Sequence, residues 1–273
     1  MSGDLLARLI EKIEGRFYGK YRAVVVDNAD PENRGRLRLK IPSVLGADVV
    51  SGWALPCLPF GGSSDQGFFF VPEIDATVWV EFETGNLDYP IWVGTFWGKP
   101  GGATEVPKPA DEQSPPTRKI IRTLKGSCIE IEDKDGEEVF IIKYNDGDKT
   151  NTLTMNADGI LVEDANENKI TFDSSGIKVE DLNANKITLD DSGAAFEDKN
   201  GNKISMDTAG IIIEDANHNK VEMSPSSINI FPNVACNLGT SAVNLVNNLP
   251  ACLFTGAPHA LPGTGGQAKV LKV

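Results

Sequence analysis

Between residues 160 and 230, apolar side chains come in pairs two positions apart, and short polar runs separate the pairs. The series is Ile160/Val162, Ile170/Phe172, Ile177/Val179, Ile187/Leu189, Ala194/Phe196, Ile204/Met206, Ile211/Ile213, Val221/Met223 and Ile228/Ile230. A spacing of two puts both members of a pair on one face of an extended strand. The pattern recurs every 17 positions, with glycine at Gly159, Gly176, Gly193 and Gly210. Acidic pairs keep step at Glu163-Asp164, Glu180-Asp181, Glu197-Asp198 and Glu214-Asp215. So does a lysine before an apolar residue, at Lys169-Ile170, Lys186-Ile187, Lys203-Ile204 and Lys220-Val221. Each repeat therefore predicts two short strands, one turn of the DANENK type and one shorter link ending at glycine. Fixed-period self-similarity of this kind means a stack of units.

A strand of three or four residues with two buried side chains is not self-sufficient. At roughly 1.5 to 3 kcal/mol per buried side chain, each pair needs partners to offset the ordering of its backbone. A single chain coiled as a solenoid would supply them, and so would three chains around one axis. Single-chain coils usually need about 20 or more residues per turn. Two strands in 17 residues do not close three walls, so the expectation is an intertwined trimer with the apolar pairs inward. Nine pairs stacked at about 4.8 Å would extend roughly 40 Å.

Upstream the texture differs. Residues 1–16 carry Leu5, Leu6, Leu9, Ile10 and Ile13 at helical spacing behind Asp4, a candidate N-cap, and predict a short helix. Residues 17–98 read as five or so strands without helices between them, hence a small closed barrel. The strands are Tyr21 to Asp27, Arg36 to Ile41, Gly67 to Val71, Ala76 to Phe82 and Ile91 to Phe96. Residues 99–116 are rich in proline and glycine and read as a linker or strap. The β pattern resumes at residue 117 and runs to 230. Residues 231–273 contain no Asp or Glu, and only Lys269 and Lys272 carry charge there.

Charge narrows the function. The net charge of -13 disfavours nucleic acid and anionic membrane surfaces, both of which select a basic face. The barrel region itself holds six Lys/Arg against ten Asp/Glu. The first residues show no secretory signal, and no run approaches the roughly 18 to 20 apolar residues of a membrane span. Cys57, Cys128, Cys236 and Cys252 are scattered without CxxC spacing and read as buried, reduced thiols of a protein made in the cytosol.

The barrel region also carries a family resemblance. Gly19-Lys20-Tyr21-Arg22, Asp27-Asn28, Asp30-Pro31, Gly35-Arg36-Leu37-Arg38 and Ile41-Pro42 resemble the oligonucleotide/oligosaccharide-binding (OB) barrel of contractile-tail spike proteins. Pro72-Glu73-Ile74, Val78 through Glu83, Gly85-Asn86, Tyr89-Pro90 and Val93-Gly94 continue it. The family includes phage baseplate spikes, VgrG proteins and the spikes of extracellular contractile injection systems. The resemblance implies an all-β protein: an N-terminal OB-fold barrel followed by an intertwined trimeric, triple-stranded β-helix prism. It also implies partners, namely two further copies of the chain, a separate hub or inner-tube protein at the barrel end, and a PAAR-type cap at the C-terminal tip. The target membrane would be met only during puncture, after incorporation into a phage-tail-like particle. The uncharged tip, with Leu253, Phe254, Pro258 and His259, is the expected docking surface for the cap. Two departures stand out. Family barrels often read PEVGDEV where this chain has Pro72-Glu73-Ile74-Asp75-Ala76-Thr77-Val78, and the short linker leaves no room for the lysozyme domain of some relatives.

Candidate chemistry is sparse. His218 fills a turn position occupied by Glu167, Ala184 and Gly201 in the other repeats, so that position asks for no imidazole. His259 reads first as a packed or hydrogen-bonded histidine; three copies meeting on an axis would be the second reading, a site for iron or zinc. Asp164 to Asn168 resembles the start of a calcium loop, but Lys169 replaces its glycine and Ser175 its bidentate glutamate, which favours turn chemistry. Trp79, Trp92 and Trp97 read as barrel core or packing between subunits. The paired carboxylates keep the repeat's period instead of converging, which argues against a lyase-like enzyme on a β-helix. The expectation is a structural protein with no catalytic residues and no cofactor. A trimeric fibre or adhesin that presents a receptor-binding surface is the alternative.

Overall fold

The computed structural model describes residues 15–108 and 113–233. The chain divides into two compact units, Met1–Pro116 and Thr117–Val273. The expected helix over 1–16, the tip residues Leu253, Phe254, Pro258 and His259, and Cys236 and Cys252 lie outside the described residues, apart from the helix's last two positions.

Among its described residues the first unit holds five strands: β1 (Tyr21–Asp27), β2 (Arg38–Lys40), β3 (Leu55–Pro56), β4 (Thr77–Phe82) and β5 (Pro90–Thr95). They lie in the order β2-β1-β4-β5-β3, antiparallel except for the parallel β3–β5 pair. Bridges Leu37↔Ala54 and Lys40↔Val50 bring β2 back to the segment that leads into β3, so the sheet curls round on itself. Alternation in β4 explains the core. Val78, Val80 and Phe82 point inward, while Thr77, Trp79 and Glu81 point out. Val25, Leu37, Leu39, Ile41, Val78 and Val80 are fully buried together. This is the barrel that periodicity predicts.

One buried ion pair fixes the β1–β2 connection. Arg36 donates to Asp30 from Nη2 at 2.6 Å and from Nε at 3.0 Å, and the amides of Glu32, Arg34 and Arg36 donate to the same carboxylate. The guanidinium hydrogen bond holds the Asp30 carboxyl well below the usual carboxylate range, and the other side of that guanidinium faces Trp53, 5.6 Å from the ring centroid. Where family barrels place glycine in PEVGDEV, Asp75 takes a left-handed φ of 69° and its amide donates to the Val25 carbonyl at 2.9 Å. Aspartate tolerates that region better than most residues, so the turn survives the substitution.

The expected strand Gly67 to Val71 is instead a loop. Both edges of β4 are taken by β1 and β5, so no edge remains for a further partner there. Within the loop one ladder-like bond, from the Phe68 amide to the Phe60 carbonyl at 3.1 Å, is formed. Cys57 also differs from expectation. It follows β3 at the start of this loop and is exposed, whereas Cys128 is buried.

The described residues of the second unit form one 13-stranded antiparallel sheet in which every strand pairs with its neighbours in sequence. Its strands are β6 (Arg118–Arg122), β7 (Cys128–Glu132), β8 (Val139–Asn145), β9 (Thr150–Asn156), β10 (Gly159–Glu163) and β11 (Lys169–Asp173), followed by β12 (Gly176–Glu180) and β13 (Lys186–Asp190). The last five are β14 (Gly193–Glu197), β15 (Lys203–Asp207), β16 (Gly210–Glu214), β17 (Lys220–Met223) and β18 (Ile228–Phe231). Thirteen strands at about 4.8 Å per step stack to roughly 58 Å, longer than the repeats alone because β6–β9 continue the sheet. The repeat glycines are obligatory. Gly176 has a φ of 137°, and a Cβ there would sit 2.0 Å from the Leu189 carbonyl oxygen.

Because one repeat is one hairpin, deletion of Gly176–Ser192 removes 17 residues and preserves every register downstream. The expected product keeps its subunit number in native mass spectrometry and its β-type circular dichroism. Deletion of the ten residues 176–185 removes one strand and reverses the chain direction, and is expected to yield aggregated protein.

Candidate functional site

Register turns the apolar pairs into a continuous surface. Val162 faces Ile170, which faces Val179, then Ile187, Phe196, Ile204, Ile213, Val221 and Ile230. A second column runs from Ile160 through Phe172, Ile177, Leu189, Ala194, Met206, Ile211 and Met223 to Ile228. The columns continue into Leu153 and Met155, and further into Ile142 and Phe140. Among the described residues of this unit, nothing covers this face completely. Its large side chains between Ile160 and Ile213 include many that are 36–46% exposed. An open trough of about 990 Å³ lies over it, floored by residues such as Val179, Ile187 and Phe196 and rimmed by turn residues such as Asp181 and Asn185. The opposite face is mostly polar in its middle column, with Thr171, Lys178, Thr188 and Ser205 in succession apart from Ala195.

The turns beside the trough lock that register. In each repeat an aspartate carboxylate closes its own turn. Asp164 accepts from the amides of Asn166 and Asn168 at 2.8 and 2.9 Å, and from the Asn168 side-chain nitrogen at 2.7 Å. Asp181, Asp198 and Asp215 repeat the arrangement. These bonds favour the charged form. The side-chain bond from Asn202 is the largest reason that the Asp198 carboxyl is lowered to about 2.

The same asparagine then reaches along the stack. Asn168 Oδ1 accepts from the Leu182 amide at 3.3 Å, Asn185 from Lys199 at 3.0 Å, and Asn202 from Ala216 at 3.1 Å. Asn151 to Ala165 and Asn219 to Asn233 extend the series at 2.9 and 2.7 Å. The side-chain amide offers a donor to its own turn and an acceptor to the next. Asparagine at 151, 168, 185, 202 and 219 was visible at the period of 17 in the sequence, yet the repeat reading passed over it.

The acidic pairs divide their labour instead of forming one solvated face. The aspartate closes the turn, and the preceding glutamate sits in a column of alternating charge: Glu163, Lys169, Glu180, Lys186, Glu197, Lys203, Glu214, Lys220. Lys169 approaches Glu163 at 3.0 Å and Lys186 approaches Glu197 at 3.4 Å. Such exposed pairs contribute little energy singly, but a one-residue slip in either direction takes Glu163 out of register with Lys169.

The calcium-loop resemblance resolves into turn chemistry, since the Asp164 oxygens are occupied by their own turn. His218 takes the left-handed turn position, φ 65°, shared with Glu167 (66°), Ala184 (68°) and Gly201 (87°). Its Nδ1 lies 3.0 Å from Glu214. Trp92 is buried and donates to the Gly35 carbonyl at 3.1 Å. Trp79 packs on Phe96 beneath Arg22, and Trp97 is exposed. No helix among the described residues is long and apolar enough to cross a membrane.

A barrel joined to a one-faced apolar sheet defines a protein built to assemble through that sheet. Comparison with protein families says with what. Residues 21–97 match the Type VI secretion system/phage-baseplate injector OB domain, and residues 177–235 match the phage baseplate V C-terminal trimerisation domain. The chain belongs to the contractile-tail spike family. A search of curated proteins gave no match. The ladder is thus the surface on which three copies associate, and the protein is a structural homotrimer. Full burial of an aliphatic side chain is worth about 1.5–3 kcal/mol, so completing the burial of a half-covered one adds about 1 kcal/mol. Over some twenty ladder positions this sums to the order of 20 kcal/mol per chain, an upper bound.

Two measurements check this. Ile187→Asp places a carboxylate in the ladder and is expected to lower the thermal midpoint of the trimer, while Thr188→Asp on the other face leaves it nearly unchanged. Acid titration checks the turns. A carboxylate held below its unfolded value of 3.8 contributes stability that is complete above that value and vanishes as pH falls toward about 2. The thermal midpoint should be level from neutrality to about pH 4.5 and drop below about pH 4. Replacing Asp164, Asp181, Asp198 and Asp215 by asparagine should flatten the drop.

Proposed function

We propose that this homotrimer is the central spike of a contractile injection machine, carried in a tail-like particle, and that it serves mechanically in membrane puncture. The observation that carries the reading is the order of parts: an injector-type OB domain followed by a trimerisation sheet whose apolar ladder needs two further copies. The barrel end takes a hub or inner-tube protein. The C-terminal end carries a PAAR-type cap, for which the absence of acidic residues from 231 to 273 supplies an uncharged seat. Leu253, Phe254, Pro258 and His259 are the proposed contacts. The spike has no catalytic role and holds no cofactor.

The architecture suits the task. Each repeat is short, but the trimer buries its ladder as one body, so one hairpin does not leave without exposing the faces of two neighbours. Such interlocking raises the unfolding barrier, and operational stability is then kinetic.

Removal of residues 231–273 tests the tip. The truncated chain is expected to remain trimeric, at three times its own shortened chain mass. It should lose capture of a PAAR-type cap, and particles built with it should contract without permeabilising a target envelope. Retained cap capture and full permeabilisation would overturn the reading.

A further inference from the structure

The barrel carries an apolar surface that its own core does not use. Residues 57–71, CLPFGGSSDQGFFFV, hold a single charged side chain, Asp65, in a chain that is 24% charged. Phe60, Phe68, Phe69 and Phe70 are 54%, 52%, 69% and 63% exposed. Three of them are neighbours in space: Phe60 and Phe68 have ring centroids 5.9 Å apart, and Phe68 and Phe70 are 6.2 Å apart. The Phe68 amide bonded to the Phe60 carbonyl holds the two arms of the loop together, and the Phe69 ring lies beside Gly35, next to the Asp30–Arg36 connection.

At about 200 Å² for a fully exposed phenylalanine, the four rings present on the order of 450–500 Å². That is much exposed apolar surface for one loop. It is also well below the roughly 800 Å² per partner of a free-standing specific interface. A patch of this size closes only on a surface already held close. The trimerisation sheet in the same chain supplies that condition, since tethered copies meet at effective concentrations of order millimolar.

We propose that the Phe60/Phe68–Phe70 loop of each copy packs against the barrel of a neighbouring copy within the trimer. The occupant is therefore a second copy of this chain. The net charge of -13 sets an anionic membrane against this role. The contact is heterologous, as a three-fold ring requires, with the loop of one barrel meeting a different surface of the next. The proposal rests on the homotrimer described above.

Photo-cross-linking of the full chain with Phe69→p-benzoylphenylalanine tests it, alongside native mass spectrometry of the same sample. The expected result is a trimer whose cross-links run between chains and map to residues 15–98 of the second copy. Hydrogen exchange across 67–71 should be slowed about tenfold or more relative to an open loop. A trimer whose cross-links stay within one chain, or reach residues 117–233, or fail to form, overturns the loop contact and leaves the trimer standing. A monomeric mass overturns both.

Discussion

An antiparallel sheet five residues wide has one face that water cannot be allowed to keep. The ladder from Leu153 and Met155 to Ile228 and Ile230 runs unbroken across ten strands, and the described residues of this unit hold no second layer to lay over it. In an ordinary sandwich the covering layer comes from the same polypeptide. Here the polypeptide continues the sheet instead, because each 17-residue unit is spent on one hairpin and its turns. The missing layer must be other copies. The length, the repeat and the trimeric state all follow from that shortage.

The polar groups make the shortage tolerable. A flat repetitive sheet is poorly registered by its apolar side chains, since neighbouring rungs resemble one another. The 17-residue unit answers this at three levels. The glycine permits a turn whose carbonyl approach no Cβ allows. The aspartate closes the opposite turn, and its asparagine joins that turn to the next one along the stack. Glutamate and lysine alternate so that, in register, each meets the opposite charge on both neighbouring strands. Each contribution is small, and their repetition makes the in-register sheet the only arrangement in which all of them are met together.

Much of this was legible in residues. Period two gave the strands, period 17 gave the hairpins, and the glycines marked the short turns. The barrel strands at Tyr21, Ala76 and Ile91 were placed to within a residue or so, because alternation with turn residues at both ends is a local signal. The segment Gly67 to Val71 was misread because three phenylalanines carry high strand propensity wherever they occur. Whether a strand forms depends on a free edge, and β4 had none. The asparagine rungs were missed for a related reason. Asn168 and Leu182 are 14 residues apart, so the bond exists only once the hairpins are stacked, although the invariance of asparagine through five repeats was already on show.

The direction of the hydrogen bonds bears on the mechanical reading. In the stack the strands lie across the long direction of the sheet, and inter-strand bonds run along it, with strands about 4.8 Å apart. A push along that direction presses strands already near van der Waals contact closer together, which is the stiff direction of such a lattice. Bending demands that one side of the stack open, and opening exposes the ladder to water at about 25 cal/mol per Å². Sideways pairing with foreign sheet is resisted along one rim, where turns carrying Asp164, Asp181, Asp198 and Asp215 close the ends of β10 to β17 with charge. Compression is therefore carried by backbone and bending is opposed by burial, and neither depends on any single side chain.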